Sequence, residues 1–208
     1  MDKNIIKETV KKSTLSAKTA YEYKKLVFPE DYLVVMDLKE EKEDLDLEYD
    51  VTNLRHMPDI REEDKLTVLG VLMNIKGLED GAKQYSFELS PENLYYNLNH
   101  KVKVKERDVY AAGVGYGEQE FLNEYKALIG FALQNKYSYE DYKQGGNKLM
   151  TKGFLQAKVY EATSVQELHT ALHDEYLKVE DERKKKKVLI SKSIFTGMKI
   201  ALVTLGVL

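Results

Sequence analysis

The stretch YLVVMDLKEEKEDLDLEYDV, Tyr32 to Val51, decides the fold class. Tyr32 to Leu38 is a short apolar run rich in β-branched residues. Leu45 to Val51 alternates apolar and acidic residues, which puts Leu45, Leu47, Tyr49 and Val51 on one face of a strand. The charged KEEKED between them reads as an exposed turn, so the two runs predict a hairpin. Asp44, Asp46, Glu48 and Asp50 then face water as the solvated side of that strand.

Working outward, the first half of the chain is strand-rich and the second half helical. Glu62 to Ile75 places Leu66, Leu69, Val71, Leu72 and Ile75 on a broad helical face, with Gly77 and Gly81 as its stop. Tyr85 to Leu89 alternates as a strand expected to join the hairpin in one small sheet. Ser90 to Asn93 is a turn, and Leu94 to Leu98 and Val102 to Val104 read as further strands. After Gly113, Phe121, Tyr125, Leu128, Ile129 and Leu133 recur at helical spacing, and Val165 to Glu182 forms a second long amphipathic helix. This order predicts an α+β fold, with a small antiparallel sheet followed by helices from about Gly117. Residues 1–28 fit neither period cleanly and read as a partly flexible segment or an added strand.

The chain has 208 residues, a formal net charge of -3 and no cysteine, with fifteen tyrosines and no tryptophan. That charge favours no nucleic-acid partner. The lack of cysteine removes disulfides, thiol catalysis and cysteine-ligated metals. Met1 to Lys12 is polar and lacks the apolar centre of a signal peptide.

The C-terminal KKKKVLISKSIFTGMKIALVTLGVL, Lys184 to Leu208, is the most apolar segment. Beyond Val188 its only cations are Lys192 and Lys199, and no acid occurs. Lys184, Lys185, Lys186 and Lys187 form a basic flank of the kind retained on the cytoplasmic side of a membrane-crossing helix. The segment therefore reads as the first turns of such a helix, with Ile194, Phe195, Met198, Ile200, Leu202, Val203 and Leu205 as an apolar patch. Ser193, Gly197 and Ala201 make a small-residue stripe on which two such helices could approach closely.

Two constellations fail as catalytic motifs. GVGYGE, Gly113 to Glu118, brings its third glycine one residue early for a dinucleotide loop, and Glu118 stands where a phosphate loop needs lysine. It reads as a flexible connection. His169 and His173 lie one helical turn apart as in zinc-protease helices, but Thr170 replaces the glutamate that acts on metal-bound water. Asp174 or Glu175 could add a carboxylate; no third ligand site is indicated.

Three segments resemble the EssB/YukC family of type VII secretion in Gram-positive bacteria: Val71 to Asn97, Glu118 to Leu133, and Phe154 to Tyr176. The resemblance is carried by Asn74–Lys76 at a helix end and by Tyr85 and Phe87 before the Pro91–Glu92 turn. The Phe-Leu-x-x-Tyr-Lys-Ala-Leu helix at Phe121–Leu128 carries it too. It implies a protein-kinase-like (pseudokinase) bilobal domain over residues 29–183, without catalytic equipment or cofactor. A basic flank and a single membrane helix follow over residues 184–208, with the domain in the cytoplasm at the cell membrane. It also implies a homodimeric, non-enzymatic scaffold working beside the membrane ATPase of the machine and serving WXG100-type proteins. The residues agree with lost catalysis: a kinase glycine loop, a Val-Ala-x-Lys strand, a His-Arg-Asp loop and Asp-Phe-Gly are all missing. Arg55-His56 is the nearest echo, and it lies too early in the chain. The competing readings are a degenerate kinase-like enzyme that still binds ATP, or a metal-dependent hydrolase using His169 and His173.

Overall fold

The computed structural model describes residues 3–150 and 153–205, with side chains described as far as Lys187, Asn147 excepted. The hairpin forms. β2 (Val35–Glu41) runs antiparallel to β3 (Asp44–Asp50), with Glu41 opposite Asp44. The turn is thus Lys42-Glu43 alone, because the KEEKED residues on either side of it extend the strands. Burial alternates along β3 as its sequence dictates: Leu45, Leu47 and Tyr49 are buried and the acids between them are not. Those acids are engaged across the sheet, Glu48 by Lys7 at 2.7 Å and Asp46 by the Thr9 hydroxyl at 2.7 Å.

Both of those partners lie on β1 (Ile5–Lys11), which pairs with β3 along its whole length and completes a sheet in the order β1-β3-β2. α1 (Ala20–Val27) follows, begun by a Thr19–Glu22 capping box that satisfies the first free amides. A second antiparallel sheet contains β4 (Arg55–His56), β5 (Leu94–Tyr96) and β6 (Val102–Val104). The run Tyr32–Leu38 is divided between the sheets. Val34 N–H donates to Val104 O at 2.8 Å and Val104 N–H to Tyr32 O at 2.9 Å, while β2 proper begins at Val35.

Tyr85 to Leu89 is not a strand of either sheet. Ser86 makes a single bridge to Asp108, and other partners take the neighbouring backbone groups. Leu89 N–H donates to the Glu124 carboxylate at 2.9 Å, and Glu88 O accepts from the Asn93 amide at 3.1 Å. With those groups occupied, no neighbouring strand can form.

α2 (Lys65–Asn74) starts three residues later than its apolar period suggests, because a 3₁₀ turn over Met57–Glu62 and an Asp64 cap precede it. Gly77 and Gly81 fall in a 3₁₀ turn and in α3 (Glu79–Ala82). The helical part comprises α4 (Glu118–Leu133), α5 (Tyr139–Gly145), α6 (Phe154–Glu161) and α7 (Val165–Leu205). α2 lies along α7 in the opposite sense: Lys65 at its start meets Glu175 at 2.6 Å, and Lys76 past its end meets Gln166. The buried residues of the sheets, α2, α4 and α7 form one cluster. The α+β architecture is as the sequence predicts.

Candidate functional site

Lys184 to Lys187 are exposed and lie inside α7, which passes through them without a break. Lys184 pairs with Glu180 at 3.1 Å and Lys185 with Asp181 at 2.6 Å. Lys186 and Lys187 have no carboxylate partner among the described residues. The side chains of Ser193, Gly197 and Ala201, and of the apolar patch from Ile194 to Leu205, lie outside the described residues. Among the described residues, no helix is long and apolar enough to cross a membrane.

His169 and His173 stack one turn apart on α7, ring centroids 6.4 Å from each other. Burial lowers the pKa of His169. The carboxylates beside them are engaged elsewhere: Asp174 by Lys158 at 3.0 Å, and Glu175 by Lys65. No group of three metal-ligating side chains occurs among the described residues. The glycine loop is exposed, and Gly113 adopts φ +82°, a conformation that costs glycine little. Arg55 pairs with Glu63, and His56 stacks on Tyr95 at 4.8 Å, so the Arg-His pair serves local packing.

Two clefts flank α4. The first, of about 350 Å³, lies under the glycine loop, with Tyr116, Phe121, Glu120 and Glu124 in its wall. Lys143 of α5 spans it, 2.6 Å from Glu88 and 2.9 Å from Glu124. Burial opposes its charge, but the two carboxylates outweigh that and hold the ammonium above its ordinary range. Burial raises the pKa of Glu124, partly offset by Leu89 N–H and Lys143. Lys143→Met would leave a buried carboxylate uncompensated and is expected to cost about 2–3 kcal/mol at neutral pH. A raised carboxyl pKa contributes stability at low pH that is lost as pH rises through it, so the cost should shrink in acid. Urea unfolding at acidic and neutral pH checks this, and a cost independent of pH would count against it.

The second cleft, of about 480 Å³, opens between the start of α2, the end of α4, α6 and α7. Arg61 forms its floor. The guanidinium lies 3.7 Å from the Phe131 ring and donates to Phe131 O at 2.8 Å and Tyr137 O at 2.6 Å. No sequence motif marks Arg61, Lys143 or Glu124. A glutamate among the apolar periods of α4 was the one available signal, since a buried acid requires a partner.

Residues 10–208 match the family described as WXG100 protein secretion system (Wss), protein YukC. The type VII secretion system protein EssB of Staphylococcus aureus (strain USA300) is 29% identical over 185 residues, covering 85% of this chain. The chain spans 41% of the length of that curated relative. The crystal structure of the S. aureus EssB cytoplasmic fragment superposes with a TM-score of 0.69 at 26% identity, covering 82% of this chain and 99% of the fragment. The Geobacillus thermodenitrificans EssB cytoplasmic fragment gives 0.69 at 15% identity, covering 86% and 88%, a likeness of fold alone. Together with the α+β fold, the family match over almost the whole chain makes this protein a member of the YukC (EssB) family of type VII secretion components.

Proposed function

We propose that the chain is a non-catalytic scaffold subunit of a type VII secretion apparatus, held at the inner face of the cell membrane. The observation that carries this reading is the family match over residues 10–208. Residues 29–183 are the cytosolic pseudokinase-like, bilobal domain, extended by residues 1–28. Residues 184–208 are the basic flank and the beginning of a single-pass membrane helix. The S. aureus EssB structure it resembles is that of a cytoplasmic fragment, which supports this orientation. Ser193, Gly197 and Ala201 form the face on which two such helices pair in a homodimer. The partners are the other subunits, including the membrane ATPase, with WXG100-type proteins as the exported cargo.

Two arrangements support a binding role over a catalytic one. The charged groups of the cleft under the glycine loop are bound to one another through Lys143, and the carboxylates beside the histidine pair are held by lysines. Mg-ATP and zinc are each expected to leave the unfolding temperature unchanged. A ligand at a hundred times its dissociation constant would add about 2.7 kcal/mol. A reproducible upward shift with either would favour an ATP-binding or metal-dependent enzyme. Deleting the gene in its host should abolish export of WXG100-type proteins, and restored export by a form lacking residues 3–183 would overturn the scaffold role.

A further inference from the structure

The Arg61 cleft holds five charges of unequal standing. Glu63 is neutralised by Arg55, which lies outside the cleft, and Glu175 by Lys65 at 2.6 Å and Lys178 at 3.7 Å. Arg61 has no carboxylate partner among the described residues. Its Nε and Nη2 are spent on two carbonyls and its face on Phe131, so the guanidinium is fixed in place before any ligand arrives. Beside it stands an apolar wall of Val68, Ala132, Leu133 and Leu155, rimmed by Phe154, whose side chain is 70% exposed at the start of α6. A preorganised cation with an adjacent apolar wall recognises an anion carried on an apolar body.

Two sources could supply that anion, and helix geometry separates them. If the membrane helix starts at Val188, ten residues of α7 separate it from Lys178, a rise of roughly 15 Å. The headgroup zone is only about 5–8 Å deep on each side of the hydrocarbon. Lipid phosphate therefore does not reach the cleft. We infer that the Arg61 cleft is a docking site for a protein segment that presents a carboxylate beside a large apolar side chain. The proposal deepens the scaffold reading by naming one of its contacts, and rests on it for the position of the membrane.

The test is an NMR titration of the full chain in detergent with N-acetylphenylalanine, N-acetylphenylalanine amide, inorganic phosphate and phosphatidylglycerol vesicles. The carboxylate probe should shift the Ala132 and Leu133 amides and the Arg61 Nε–H saturably. The amide probe, lacking the charge-assisted bond, should bind about tenfold more weakly. Phe154→Ala and Lys178→Gln should each weaken the carboxylate probe severalfold without moving the unfolding temperature. These two positions are used because Arg61 also anchors two carbonyls, and its replacement could disturb folding. Absence of saturable binding, equal binding of acid and amide, or indifference to both substitutions would overturn the site. Stronger shifts of the same signals by phosphate or vesicles would overturn it in favour of a phosphate ligand. The titration requires no secretion machine, so failure here and failure of the scaffold reading are seen separately.

Discussion

Arg107→Met is expected to lower the unfolding free energy by roughly 3–5 kcal/mol, the scale for stripping one side of a buried polar network. The side chain is 7% exposed and no carboxylate neutralises it. Its Nε and Nη2 both donate to Leu26 O, at 3.0 and 2.7 Å, and Nη1 donates to Val34 O at 2.9 Å and Lys105 O at 2.8 Å. Burial pushes the guanidinium pKa down to about 10. Burying that charge is costly in itself, and the cost is tolerated because the fork closes three carbonyls at once. Methionine fills the volume but leaves those carbonyls dry and unpaired. Urea unfolding should show a lower midpoint, and limited proteolysis should find the α1 region opened first. A loss below about 1 kcal/mol would mean that water or relaxation replaces the bonds, contrary to this reading.

Alkali should destabilise the protein steeply between about pH 10 and 12. Tyr49 is pushed up to about 12 by burial, with Arg107 pulling it back, and burial carries Tyr125 and Tyr139 higher still. Tyr125 is wholly buried and donates to Leu72 O at 2.6 Å. A group whose folded pKa is raised contributes stability that is full below its unfolded pKa and lost as pH climbs toward the folded one. Each such tyrosine then removes about 1.4 kcal/mol per pH unit, and the three together about 4. Arg107 works the other way, because its folded pKa is depressed, and returns about 1.4 per unit over the same range. The net loss is about 3 kcal/mol per unit, a large share of ordinary domain stability. Tyrosinate absorbance should rise together with unfolding in a cooperative step. Gradual ionisation of a protein that stays folded would contradict it.

The legible parts of the fold are those whose partners lie close in sequence. β3 announces itself because Leu45, Leu47 and Tyr49 alternate with acids, and α4 because its apolar positions recur within one element. β1 and α1 were illegible because what holds them lies about a hundred residues further along the chain. Lys105 reaches Glu8 at 2.6 Å, Arg107 grips the last turn of α1, and Asp108 accepts from Ser16 N–H and, at 3.0 Å, from Ala17 N–H. Tyr85 to Leu89 misleads for the same reason. Its alternation is that of a strand, but Glu124 and Asn93 take the backbone groups that a strand would offer. The Arg61 cleft is assembled from four separate stretches, none of which carries a motif, and an arginine before a helix gives no signal in a linear reading.

α7 contains no proline and a single glycine, Gly197, so nothing within the described side chains marks a hinge. Its first turns are sealed into the core by Leu168, Ala171 and Leu172, and the same helix runs on for 41 residues, roughly 62 Å. Such an element works as a lever. A ten-degree tilt imposed at its C-terminal end would swing the other end by roughly 10 Å over that length. Rotation about its axis would likewise turn every surface of the domain by an equal angle. Torque and tilt, as well as binding, are therefore signals this chain can carry.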